Sequence, residues 1–167
     1  GVCGRVCPAP CMGVCNRAEL DEAINIRAIE RYVADHASSV QPRLLTPKQV
    51  RSLAVVGSGP AGLSAAWQLA RAGHRVTLIG REAHVQAVTA SGMRLRRGGQ
   101  DEAIAVAAST ELDAVRDADL VLLAVKSGDT DALARQLAPR LKAEALLLSL
   151  QNGVENTATL ARHLRQA

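Results

Sequence analysis

The chain has 167 residues, 48% of them hydrophobic, with one tryptophan, one tyrosine and no phenylalanine. That length holds one α/β domain plus a short appendage, and that apolar share excludes wholesale disorder. The net charge of +4 comes mostly from scattered arginines without stacking aromatics, which argues against a nucleic-acid surface, and no apolar run is long enough to cross a bilayer.

Residues 1–15 hold all four cysteines, Cys3, Cys7, Cys11 and Cys15, among glycines and prolines. Such crowding fits a metal site better than a disulfide framework. Pro8 and Pro10 predict irregular loops able to wrap a metal. Four thiols suffice for one iron–sulfur cluster or one zinc ion. The three residues between successive cysteines depart from the commoner spacing of two, and unligated thiols are the remaining alternative. The N-terminus lacks a basic segment followed by an apolar one, so no secretory signal is read and the expected compartment is cytoplasmic.

Residues 21–37 read as a helix, with Ile26, Ile29, Val33 and Ala37 at spacings of three and four and with Asp21 and Glu22 in the first turn. Residues 38–48 contain Pro42 and Pro47 and read as a linker. The expected organisation is therefore a cysteine-rich segment, helix and linker over 1–48, followed by a nucleotide-binding domain over 49–167.

From Val50 onward, strand and helix patterns alternate. Strands are predicted at 52–56 and 75–79, shorter ones at 93–95 and 103–107, and two more at 120–125 and 145–150. Helices are predicted at 60–72, ending at Gly73, then at 82–91, at 130–138 before Pro139, and at 154–164. With so few aromatics, the core must be built from Leu, Val, Ile and Ala, which suits strands buried on both faces. Alternating strands and helices imply parallel pairing through right-handed crossovers. The predicted class is α/β, a doubly wound parallel sheet with a short cysteine-rich, helical N-terminal extension.

Gly57-Ser58-Gly59-Pro60-Ala61-Gly62 directly follows a strand and opens a helix. In that context the pattern reads as a Rossmann-type dinucleotide turn. Gly57 allows the tight turn, Gly59 lets the backbone approach a pyrophosphate, and Gly62 permits helix-on-strand packing at a helix N-terminus that favours anions. An acidic residue at the end of the second strand bonds a ribose hydroxyl in NAD and FAD sites. Here that strand ends in Ile79-Gly80-Arg81, with Glu82 one place later. An arginine there pairs with a 2′-phosphate, which favours NADP.

Four segments resemble the N-terminal half of ketopantoate reductases: 73–81, Ser91-Gly92-Met93-Arg94-Leu95, 119–127 ending in Val125-Lys126-Ser127, and 149–154 with Gln151-Asn152-Gly153. The resemblance implies NADPH-dependent reduction of a 2-keto acid to a 2-hydroxy acid, as in pantothenate biosynthesis. It places Lys126 and Asn152 at carboxyl ends of strands beside nicotinamide and substrate. Lys126 then offers a point charge to a phosphate or carboxylate, and Asn152 a donor–acceptor pair. Such enzymes carry a second, helical domain with the catalytic lysine and acid, so this chain is expected to bind cofactor with little or no turnover. No catalytic residue is assigned within it.

The cysteine segment, the helix at 26–35 and Val55–Leu63 resemble instead the small subunit of glutamate synthase, in its iron–sulfur segment and its FAD-binding turn. This supports an alternative, an FAD and iron–sulfur electron-transfer fragment; the Gly80-Arg81 strand end counts against FAD. A non-catalytic nucleotide-binding module is a third reading. The two resemblances meet near residues 72–78. The expected small-molecule partner is a 2-keto acid, with neither nucleic acid nor membrane.

Overall fold

The computed structural model describes residues 3–36, 47–97 and 99–164, without the side chains of Cys3 and Arg97. The chain divides into two units, Gly1–Arg43 and Leu44–Ala167.

In the first unit, residues 3–15 are less irregular than expected. A single helical turn, α1 (Cys3–Val6), precedes 3-10 turns at Pro10–Val14 and Asn16–Glu19. Pro10 is accommodated because it stands in a helical first turn, where no N–H bond is lost. The amphipathic helix α2 runs over Ile26–His36, not from residue 21. Two local bonds set its start. The Asn25 side chain accepts the Ala28 N–H at 3.0 Å, a capping bond. Asp21 is engaged upstream by Arg17, whose Nε donates to it at 2.6 Å. The stripe of Ile26, Ile29 and Val33 is about half exposed. Ala37 lies outside the described residues, as does all of the expected linker except Pro47 and Lys48.

The second unit is built on β1 (Ser52–Val56), β2 (Arg75–Ile79), β5 (Ala107–Ser109), β6 (Leu120–Leu123) and β7 (Leu146–Ser149), all parallel in the order β5-β2-β1-β6-β7. The helices α3 (Pro60–Arg71), α4 (Glu82–Ser91), α5 (Thr130–Leu137) and α6 (Asn156–Leu164) alternate with them. Side chains of a strand point alternately to the two faces, and the β1 residues divide accordingly. Leu53 and Val55 pack with Ala66 and Trp67 of α3 and Val88 of α4, while Ala54 and Val56 pack with Leu133, Ala134 and Leu137 of α5 and Leu160 of α6. This is a doubly wound α/β sheet of the Rossmann type. Leu78, Leu123 and Leu137 are fully buried, each worth about 1.5–3 kcal/mol of transfer free energy.

The strand expected at 103–107 is instead two strands. β4 (Gln100–Ile104) pairs antiparallel with β3 (Met93–Arg97) in a separate ribbon, and β5 begins only at Ala107. The last strand, expected to be buried, is the sheet edge: Leu146 and Leu148 are 69% and 49% exposed, while Leu147 turns to the α5/α6 core. A helix layer covers only one face of it.

Register positions the site. Val56 pairs with Ile79 on one side and Leu123 on the other, and Leu123 pairs with Ser149. The carboxyl ends of four strands thus lie level. The chain leaves β1 toward β2 and later returns to β1's other side as β6, which creates a topological switch point at that edge.

Candidate dinucleotide-binding site

At this switch point a cavity of about 570 Å³ is lined by Gly57, Ser58 and Gly59, by Gly80 and Arg81, and by Ala124, Val125, Lys126 and Asp129. Three loops from adjacent strand ends therefore converge where the fold places ligands. Of the residues singled out by sequence, the structure gathers the glycine turn, Arg81 and Lys126 here. Pro60 and Ala61 stand exposed in the first turn of α3.

Each glycine of the turn has its own reason. Gly57 has φ +116°, and a Cβ there would stand 2.7 Å from the Ala124 carbonyl. At Gly62 a Cβ would lie 1.8 Å from the Gly57 carbonyl oxygen, so only glycine lets α3 start this close to β1. Gly59 differs. Its φ of −79° suits any residue, and a Cβ there would meet no protein atom within 4 Å. What a side chain at Gly59 would fill is the cleft itself. As N-cap, Gly59 supplies no side-chain cap bond, so the first-turn N–H groups of α3 have no side chain competing for them. An open glycine edge at a helix N-terminus fits a pyrophosphate.

Ser58 is buried. Its Oγ lies 2.6 Å from His84 Nδ1, and it fills the space a Cβ at Gly80 would need, 2.6 Å away. Sequence reasoning read Gly80 only as part of the strand end before Arg81, and it passed over His84. The place of Gly80 directly after the second strand and before Arg81 was the signal available. Arg81 is exposed and is the N-cap of α4, its carbonyl accepting the N–H groups of His84 and Val85 at 2.9 and 3.0 Å.

Asn152 does not line this cavity. It is exposed on the loop after β7, and its carbonyl accepts from Ser127 Oγ at 2.6 Å and from Asn156 Nδ2 at 2.8 Å. Asn156, only 7% exposed, is the hub of this region: its Oδ1 accepts from Thr130 Oγ1 at 3.2 Å. Gln151 Nε2 donates to Thr130 Oγ1 at 2.8 Å. Thr130 and Asn156, passed over in the sequence, and Gln151, noted there only as part of its motif, tie the loop after Lys126 to the loop bearing Asn152. An asparagine three residues beyond the Asn-Gly turn was the visible hint.

In the N-terminal unit, Cys7 Sγ accepts the Ala9 N–H at 3.4 Å and Cys15 Sγ the Ile24 N–H at 3.5 Å. The Ile24 bond, followed by backbone N–H groups of Arg17 and Ala18, holds the Cys15 thiol below its ordinary pKa. Such bonds favour the thiolate that a metal needs. Among the described residues, however, no three His, Cys, Asp or Glu side chains converge on a common point, and Cys11 is exposed. The cysteines have the donor chemistry for a cluster, but the described ones are not gathered around one.

Residues 53–167 match the ketopantoate reductase PanE/ApbA family. The chain belongs to that family. A solved PanE/ApbA ketopantoate reductase from Ralstonia eutropha superposes with a TM-score of 0.64 at 50% identity, covering 68% of this chain and 38% of that one. A probable 2-dehydropantoate 2-reductase from Bacillus subtilis does so with a TM-score of 0.57 at 28% identity, covering 65% and 36%. Residues 1–41 match the 4Fe-4S domain II of dihydropyrimidine dehydrogenase. The glutamate synthase [NADPH] small chain of Bacillus subtilis is 37% identical over 123 residues, 70% of this chain and 25% of that protein. The Mycobacterium tuberculosis (H37Rv) small chain is 48% identical over 82 residues, 47% and 17% respectively. The chain thus joins a ketopantoate reductase-like nucleotide-binding fold to a glutamate synthase-like, iron–sulfur-type N-terminal segment, and it spans well under half the length of each of these relatives. No helix among the described residues is long and apolar enough to cross a membrane.

Proposed function

We propose that the second unit is the NADP-binding part of a reductase that converts a 2-keto acid to a 2-hydroxy acid in the cytoplasm. The observation that carries this is the open edge at Gly59 facing the same cavity as Arg81 and Lys126. On this reading the turn Gly57–Gly62 receives the pyrophosphate at Gly59 and at the N–H groups that open α3, and Arg81 pairs with the 2′-phosphate. Lys126 presents its ammonium at the reactive end, to phosphate or to the keto acid's carboxylate. Asn152 supplies a donor and an acceptor from the adjoining loop. NADPH, when bound, supplies the hydride. The protein's part is orientation within reacting distance.

Titration of the purified protein with NADPH and NADH tests this. Tighter binding of NADPH supports the assignment, and equal affinity refutes the role of Arg81. Oxidation of NADPH by 2-keto acids separates a reductase from a pure binding module.

The match of residues 1–41 to a 4Fe-4S domain favours a second reading, an iron–sulfur and FAD electron-transfer fragment using Cys3, Cys7, Cys11 and Cys15. The visible absorption spectrum decides between them, because flavin or cluster bands would sink an NADP-only assignment.

A further inference from the structure

We propose that His84 is a positioning residue that holds the glycine turn ready for its phosphate by way of Ser58; the proposal rests on the dinucleotide reading of the cleft.

The turn is docked on the end of β2 at three points. Gly57 N–H donates to the Ile79 carbonyl at 2.8 Å, Ser58 packs on the bare Cα of Gly80, and Ser58 Oγ meets His84 Nδ1 at 2.6 Å. The first two are features of backbone and space. The third is the only one of the three made by two side chains, and it reaches into the first turn of α4, three residues after Arg81. Ser58 is 7% exposed, so its hydroxyl depends on a protein partner, and His84 is the partner the described residues provide. A buried hydroxyl stripped of its bond gains by turning toward solvent. For Ser58 the open side is the cavity, where it would intrude on the space beside Gly59. His84 therefore keeps the serine pointing into the fold and leaves the cleft to the ligand.

The role concerns the turn, so it is shared by both nicotinamide dinucleotides. Replacing His84 by Leu is expected to weaken NADPH and NADH alike, by about three- to tenfold, the loss of one ordinary hydrogen bond. Asparagine presents a polar atom where Nδ1 stands, so His84→Asn is expected to recover most of the loss. Combining Ser58→Ala with His84→Leu is expected to cost no more than His84→Leu alone, because both remove one contact. Amide hydrogen exchange at Ser58 and Gly59, read without ligand, is expected to accelerate in His84→Leu and slow again in His84→Asn. Unchanged affinity in His84→Leu, a loss confined to NADPH, or no recovery in His84→Asn would overturn the proposal. If the wild-type protein binds neither dinucleotide, the functional reading fails, and the exchange measurement still decides whether His84 orders the turn.

Discussion

The side-chain amide of Asn156 donates to the backbone carbonyl of Asn152 over 2.8 Å, and through this bond the first turn of α6 holds the loop that ends β7. The opposite end of the same amide accepts from Thr130 at the start of α5. A single buried side chain thus joins the loops that follow β6 and β7, and its satisfied bonds make removal costly.

Replacing Asn156 by Ala takes away the acceptor of the Thr130 hydroxyl, which keeps only its bond from Gln151, and leaves the Asn152 carbonyl with Ser127 alone. The expected loss is about 1–3 kcal/mol of stability, the cost of unsatisfied buried groups. Urea unfolding followed by the fluorescence of Trp67, the single tryptophan and 6% exposed, measures it directly. A loss below a few tenths of a kcal/mol would mean that the network is incidental.

Gly59 and Gly62 are expected to separate binding from folding. Gly59→Ala places a methyl group in the cleft with no protein atom near it, so stability holds while NADPH affinity falls at least about tenfold. Gly62→Ala drives a Cβ against the Gly57 carbonyl, so overpacking costs about 1–3 kcal/mol and the melting temperature drops. Thermal melts and isothermal titration on the pair distinguish the two effects.

Arg81→Ala is expected to lower NADPH affinity about 10- to 100-fold, as expected for one charge-assisted bond, and to leave NADH affinity nearly unchanged. The ratio of the two dissociation constants is the readout. Arg81→Lys keeps the charge but loses the planar fork, and an intermediate ratio follows.

Asp119 gives the protein an acid-side dependence. Its carboxylate accepts the Ser52 N–H at the start of β1, and that bond, with Lys142 beside it, holds its pKa below the usual carboxylate value. A group depressed in the folded state contributes stability that is complete above its unfolded pKa, about 3.9. That contribution disappears as pH falls through the folded value. Asp119→Ala should therefore unfold with a shallower dependence on pH below about 4 than the wild type. Parallel curves for the two proteins would remove Asp119 from the account.

Much of the second unit was legible in the order of its residues. Apolar runs at 52–56 and 75–79 form strands because runs of that length, bounded by turn residues, bury on both faces of a parallel sheet. Pro60 and Gly73 bound the first crossover helix, and the glycine turn is local chemistry written in six consecutive residues. The strand order, the register and the exposure of Leu146 and Leu148 at an edge were not legible, because pairing is a choice among distant segments. The N-terminal helix begins at Ile26 because one asparagine bond outweighs the acidic residues before it. The cysteines illustrate the same divide. Their number and bonding atoms are properties of the sequence, whereas convergence on one point is a property of the folded chain. The Ser58–His84 and Asn152–Asn156 contacts belong there too. Short polar contacts between loops carry no periodicity, so only the tertiary structure decides which of them form.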